Sequence, residues 1–307
     1  MSRRSARNGT GSGSSAGAGN PASALAGQRP AWLINGTMLQ LLASAGAGRA
    51  QPWHWRLLDR RDGRELASWQ RAPSLLALGQ CVPRAAWPEL SRWLHMPGTV
   101  RPDQGPLPWT LPAATLRAAL RERARWLRQS LALPLPESES ESESESDSES
   151  GAYRLPLCDE PPMLRQCGHD LAGRPLWLTA AAGRAWQAMR AAAAADGLAL
   201  LPVSAYRSID YQAGLVARKQ ARGLSTETIL RYSALPGHSE HHLGTVIDLH
   251  AGNGPALEES FQKSDAFPWL QQHAGRFGFV LSYGRDNPWG IGYEPWHWRF
   301  LPAGAQL

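Results

Sequence analysis

The stretch PGHSEHHLGTVIDLH, Pro236 to His250, holds four of the nine histidines in a chain of 307 residues. Its second half, from Gly244, is β-branched and reads as a strand. A turn at Gly244 folds the loop bearing His241 back toward a strand bearing Asp248, so an imidazole and a carboxylate meet near one point. A further histidine, His297, lies in YEPWHWRFL, Tyr293 to Leu301, a second strand-like segment. Two histidines and one aspartate form a three-ligand N/O set, the open arrangement of a catalytic Zn²⁺ that polarises a carbonyl and lowers the pKa of water. Glu294 stands three residues before His297. On one strand such positions face opposite sides, so Glu294 reaches the same point only if Pro295 introduces a kink or bulge. Given that bend, Glu294 is the general base for attack of water on an amide.

The segments around these motifs predict an α+β unit. Helices are expected over TAAAGRAWQAMRAAAAADG with Thr179 as N-cap and Gly197 at its end, SIDYQAGLVARKQARG, STETILRYSALPG with Ser225 as N-cap, and SDAFPWLQQHAGRFG capped by Ser264 or Asp265. Strands are expected at Leu198 to Tyr206, Gly244 to His250, FVLSY and YEPWHWRFL. Helical runs followed by clustered strands point to a small antiparallel sheet with flanking helices.

Taken jointly, SEHHLGTVID and EPWH resemble the paired signatures of the VanY-type D-alanyl-D-alanine carboxypeptidases, a branch of the LAS zinc peptidases. The resemblance runs from about Leu176 to Pro302. It implies one zinc per chain, held by His241, Asp248 and His297, with Glu294 as base. Upstream, SAYRSIDYQ is similar to the family's substrate segment, which implies contacts from Arg207, Ser208 and Gln212; Ser239 is a further candidate contact. Physically, Arg207 offers a fork of donors to a carboxylate or a developing oxyanion, and a structural pair with Asp210 is its plain alternative. Val246 departs from the small residue usual in the family and bears on packing. Ser282 to Gly292 falls where the family varies its pocket, which leaves substrate preference open.

The rest of the chain is different in kind. Residues 1–28 are rich in Gly, Ser and Ala and lack an apolar signal core, so a disordered leader is expected. Residues 29–136 form a basic Trp/Arg-rich N-terminal domain of unknown fold: residues 1–136 carry 18 Arg, no Lys and 6 acidic residues, and 8 of the 14 Trp. Residues 137–150, an alternation of acidic residues and serine, read as a solvated linker, and residues 151–307 as the zinc peptidase domain. LPAATLRAALRERARWLRQSLAL predicts an amphipathic helix from about Pro112 to Leu131, with Leu116, Leu120, Leu127 and Leu131 among its apolar positions and Arg117, Arg121, Arg125 and Arg128 exposed. Such a helix suits contact with an anionic polymer, or simply a solvated face; no motif specific for nucleic acid is present. No stretch approaches the roughly 18 apolar residues of a membrane span.

Cys158 and Cys167 are close enough in sequence for one disulfide, and two free thiols are the equal alternative. The pentapeptide PWHWR occurs twice, at Pro52–Arg56 and Pro295–Arg299. Gln51 stands where Glu294 stands in the second copy, so His54 is read as structural, on a Trp-rich strand entering a hairpin at Asp62 and Gly63. The resemblance implies cleavage of the terminal D-Ala-D-Ala bond of peptidoglycan stem peptides or muropeptides. L,D-carboxypeptidase, D,D-dipeptidase and endolysin-like activities use the same metal site, and a non-catalytic binder of anionic polymers is the alternative of another class. Such a substrate implies the cell envelope or periplasm, while a leader without a signal core also suits a cytoplasmic enzyme.

Overall fold

The computed structural model describes residues 31–36, 39–44, 54–60, 63–70, 113–134, 155–302 and 304. The expected leader, the 137–150 linker, Cys81 and the Trp- and Pro-rich stretch 71–112 lie outside these residues.

Two antiparallel sheets organise the fold. The first has six strands: β1 (Ala31–Asn35), β2 (Leu39–Ser44), β3 (His54–Asp59), β4 (Glu65–Trp69), β5 (Met163–His169) and β6 (Pro175–Leu178), in the order β4-β3-β2-β1-β5-β6. β1 pairs with β5 through Trp32↔Arg165, Leu33↔Leu164 and Ile34↔Met163. Strands from both sides of the acidic stretch therefore share one sheet. At the β3–β4 hairpin, Asp59 N–H bonds Arg64 O at 2.8 Å and Gly63 adopts the left-handed φ of 71°.

The second sheet has four strands: β7 (Leu201–Ser204), β8 (Val246–His250), β9 (Phe279–Leu281) and β10 (His297–Phe300), in the order β7-β8-β10-β9. Helices α1 (Ala113–Ser130), α2 (Ala180–Ala195), α3 (Ile209–Ala221), α4 (Thr226–Arg231) and α5 (Ala266–His273) flank the sheets. The expected caps at Thr179 and Ser225 are present, their hydroxyls accepting from Ala182 and Thr228 N–H, and Ser208, expected as a substrate contact, caps α3 by accepting from Tyr211 N–H; all three satisfy donors that a first turn leaves orphaned. Asp265 precedes α5 but makes no side-chain cap bond.

The main core gathers Trp186 and Met189 of α2, Ile247 and Leu249 of β8, Phe267 and Leu270 of α5, and Trp298 of β10. A second core packs Leu116, Leu120 and Leu127 of α1 against Leu41, Trp55 and Leu57 of the first sheet and Ile209 of α3. Shortening Leu116 or Leu120, both essentially fully buried, to alanine should cost about 2–5 kcal/mol.

Two expectations about α1 and the cysteines are settled here. Arg128, expected on the exposed face, is fully buried, because its Nη1 donates to Pro236 O at 2.7 Å in the loop leading to His238. Arg117 and Arg121 both pair with Asp159, at 3.2 and 2.8 Å, and Arg123 with Asp210 at 2.7 Å. Much of the helix's charge thus serves intramolecular pairs, which weakens the case for it as an anion-binding face. Cys158 and Cys167 are separate buried thiols with no disulfide; burial pushes Cys158 up to about 12 and Cys167 up to about 11, which leaves both unreactive at neutral pH.

Candidate active site

Strand register creates the site. In the antiparallel pair of β8 and β10, His297 lies directly opposite Asp248, and opposed residues share a face and nearly touch. His241 arrives from a single 3₁₀ turn, Glu240–Leu243, which Gly244 ends in the left-handed conformation with φ of 63°. That conformation favours glycine. Gly244 O also accepts from Thr179 N–H at 2.8 Å, which ties the turn to the start of α2.

The three side chains converge. One donor atom from each of His241, Asp248 and His297 lies within 4.8 Å of the others, a grouping that could hold a metal ion and that is unique among the described residues. His241 Nε2 is 3.2 Å from Asp248 Oδ2, and His297 Nδ1 is 3.2 Å from Asp248 Oδ1. The remaining ring nitrogens are engaged from behind. His241 Nδ1 lies 2.5 Å from Ala205 O, and His297 Nε2 lies 3.0 Å from Glu240 Oε2. A carbonyl or carboxylate there takes the N–H of a neutral imidazole, leaving the other nitrogen's lone pair facing the cluster. His297 Nδ1 and Asp248 Oδ1 are buried with no hydrogen bond of good geometry, as expected of atoms aimed at a cation.

Electrostatics agree with that reading. Burial opposes ionisation of Asp248, yet the imidazoles of His241 and His297 hold its carboxyl well below the usual range. Burial also opposes charge on His297, but the carboxylates of Asp248 and Glu240 on either side of its ring push it up to about 10. His241 goes the other way, down to about 4, through burial and the nearby Arg207. The cluster therefore carries an excess of carboxylate that attracts positive charge, whether a proton or a metal ion.

Glu294 sits outside β10. The turn before the strand is closed by a 3.1 Å bond from His297 N–H to Glu294 O, which returns the Glu294 carboxylate to within 3.4 Å of His297 Nδ1. Glu294, expected on the strand beyond a kink, instead precedes it: β10 begins only at His297, and the Pro295 turn supplies the bend. Burial raises the Glu294 carboxyl to about 7, with Asp248 and Glu240 adding to the rise against the pull of His297 and Arg207.

An open cleft of about 340 Å³ lies over the cluster, lined in part by Arg207, Gln212, Ser239, His241, Glu294 and His297. Arg207 Nε and Gln212 Oε1 are buried there without hydrogen-bond partners, while Gln212 Nε2 donates to Ala234 O at 2.8 Å. Ser208 is absent from this lining; its hydroxyl caps α3. Tyr283, stacked on the His297 ring at 4.4 Å, and Ile291 line the cleft from the 282–292 segment expected near the pocket, whereas Tyr232 and Ser233 were not foreseen. Glu240 was equally unforeseen. Besides His297 it accepts from Ser282 Oγ at 2.6 Å and Arg299 Nη1 at 2.5 Å. Its place between Ser239 and His241 gave the only hint.

With this geometry in view, similarity to known proteins can be stated. Residues 175–303 match the family model of VanY, D-alanyl-D-alanine carboxypeptidase. The match falls on the C-terminal part of the chain, which carries the site described above. It is 33% identical over 124 residues to the putative carboxypeptidase YodJ of Bacillus subtilis (strain 168), covering 39% of this chain and 45% of that protein. It is 31% identical over 120 residues to a D-alanyl-D-alanine carboxypeptidase of Enterococcus faecalis (strain ATCC 700802 / V583), covering 36% and 43%. Among solved structures, a variant of the vancomycin resistance D,D-pentapeptidase VanY from the VanB-type cassette, in complex with Zn(II), is 25% identical with a TM-score of 0.36, covering 49% of this chain and 80% of that one. The chain spans less than half the length of these two curated relatives. No helix among the described residues is long and apolar enough to cross a membrane.

Proposed function

We propose that this protein is a zinc carboxypeptidase that releases the terminal D-alanine from peptidoglycan stem peptides ending in D-Ala-D-Ala. The observation that carries the reading is the cross-strand pair His297↔Asp248, closed by His241 and flanked by Glu294 at the mouth of the cleft. The donor set fits zinc: two imidazole nitrogens and one carboxylate, each fixed from behind or by its strand partner. His241 Nε2, Asp248 and His297 Nδ1 would hold one zinc per chain. Bound there, zinc supplies Lewis-acid polarisation of the scissile carbonyl and acidifies water.

The chain's own groups then have distinct tasks. Glu294, a buried carboxylate with its pKa raised to about 7, is matched to the work of a general base near neutral pH. It takes a proton from the attacking water as the new C–O bond forms. It then returns that proton to the leaving amine as the C–N bond breaks, giving free D-alanine and a peptide shortened by one residue. Arg207, which lines the cleft and whose buried Nε has no hydrogen-bond partner, binds the substrate's terminal carboxylate or steadies the developing oxyanion. Gln212 Oε1 and Ser239 are available to the peptide beside it. An anion-binding end favours a carboxypeptidase over an enzyme that cuts within a chain.

A direct test is to incubate the purified protein with a pentapeptide ending in D-Ala-D-Ala, with and without a chelator, and measure free D-alanine. Release that stops with the chelator and returns with zinc is expected. A protein that binds the peptide but releases nothing is a binding module, and the enzymatic reading fails.

A further inference from the structure

A second buried charge cluster lies behind the cleft. Its centre is Arg60, at the end of β3, whose side chain is 1% exposed. The guanidinium forks three ways: Nε to Asp210 Oδ2 at 2.9 Å, Nη1 to Gly36 O at 2.9 Å, and Nη2 to the Glu160 carboxylate. Glu160 in turn accepts from Ile209 N–H at 2.7 Å and from the Tyr206 hydroxyl. Asp210 takes a second arginine, Arg123 of α1, at 2.7 Å.

The partners of this cluster bracket Arg207. Residues 206, 209 and 210 are all gripped by it, while the backbone of Arg207 is tied to the metal-binding motif: its N–H donates to His241 O at 3.3 Å, and its carbonyl lies 2.7 Å from His242 Nδ1. Arg207 therefore sits between two anchors, one from the VanY-type region and one from the N-terminal strands. Buried ion pairs often add little net stability compared with apolar packing, and in some proteins their role is to fix one arrangement. A fork with partners in three directions fixes the strand-to-helix corner from which Arg207 projects.

We propose that Arg60 is a positioning residue for the reaction. It holds the 206–210 corner so that the Arg207 guanidinium meets the substrate, and this makes the N-terminal strands a working part of the active site. The inference rests on the role given to Arg207 above.

The test uses the full, zinc-loaded chain carrying Arg60→Lys, Tyr206→Phe or Arg60→Met, with Arg56→Met as a surface control, each assayed well below its unfolding temperature. Rates are taken per zinc-loaded molecule, with a pentapeptide ending in D-Ala-D-Ala. Arg60→Lys and Tyr206→Phe keep the charge or the volume of the cluster, so the result does not depend on Arg60→Met folding. The expected outcome is zinc content like the parent's and kcat/KM lowered up to about 10²-fold, the scale of a displaced positioning group. In an Arg207→Ala background the same changes should cost little more, because the two residues then act through one element. Amide exchange should quicken at 206–212 and stay unchanged at 297–300. A kcat/KM equal to the parent's for Arg60→Lys and Tyr206→Phe overturns the proposal, and so does a loss that is fully additive with Arg207→Ala. A parent that releases no D-alanine defeats the enzymatic reading instead; exchange then decides alone, and unchanged exchange at 206–212 overturns the brace.

Discussion

The two PWHWR copies end in the same kind of structure and sit in different surroundings. Each has its histidine at the first position of a strand, β3 or β10, and the following tryptophan buried in a core, Trp55 at 2% exposure and Trp298 at 3%. Alternation along a strand accounts for that shared pattern. What differs is the neighbour across the sheet. His54 faces Ser44, whereas His297 faces Asp248. The arginines diverge too: Arg56 makes a 3.5 Å surface pair with Glu65, while Arg299 reaches the buried Glu240 at 2.5 Å. Five letters specify a strand and its buried face. The chemistry is assigned by strands and turns that lie far away in sequence.

The contrast is sharpest for metal binding. His297→Ala should abolish stoichiometric zinc and all measurable D-alanine release, whereas His54→Ala should leave both unchanged; elemental analysis with the D-alanine assay reads the pair. Next in size is Glu294→Gln. If the glutamate upstream of the second copy is the base, zinc should stay bound while kcat falls by about 10²–10⁴. Full activity in that variant would remove Glu294 from the mechanism.

A smaller effect is expected behind His297. Glu240→Gln weakens the support of His297 Nε2 while preserving shape, and should loosen zinc by about 10–100-fold, read by competition with a chromophoric chelator. The pH profile carries a further expectation. A general base works when deprotonated, so activity is present above its pKa and lost as pH falls through it. Burial raises Glu294 to about 7, and the charge of a zinc ion held at the site would draw it down from there. The acid limb of kcat/KM is therefore expected between the ordinary carboxylate value of about 4.3 and neutrality. An acid limb above pH 7 would assign it to another group.

Much of the site was legible because its signals are local. Ser, His, Gly and Asp in one motif dictate a turn followed by a strand, and the caps at Thr179 and Ser225 mark helix starts without reference to the fold. Long-range features were opaque. Glu240 looks like any loop acid until Ser282, Arg299 and His297 surround it. Arg128 fits an exposed helical face by periodicity, yet the Pro236 carbonyl claims it. Arg60 belongs to a segment with no family signature, and its partners Glu160 and Asp210 stand 100 and 150 residues away. The same distance hid the pairing of β1 with β5.

The smallest expected effect asks whether register alone can convert one copy into the other. Ser44→Asp would set a carboxylate opposite His54, imitating the Asp248–His297 pair. Among the described residues three things would still be missing: a second histidine delivered by a turn, an acid behind the imidazole, and burial, since His54 and Ser44 are only half-buried. A lone surface His–Asp pair is worth about 0–1 kcal/mol and offers two ligands where a tight site needs at least three. The variant should bind the same single equivalent of zinc as its parent and shift stability by no more than that amount. A second equivalent, measured by calorimetric titration, would mean that a cross-strand His–Asp pair suffices, and that the turn bearing His241 contributes less to the site than its geometry implies.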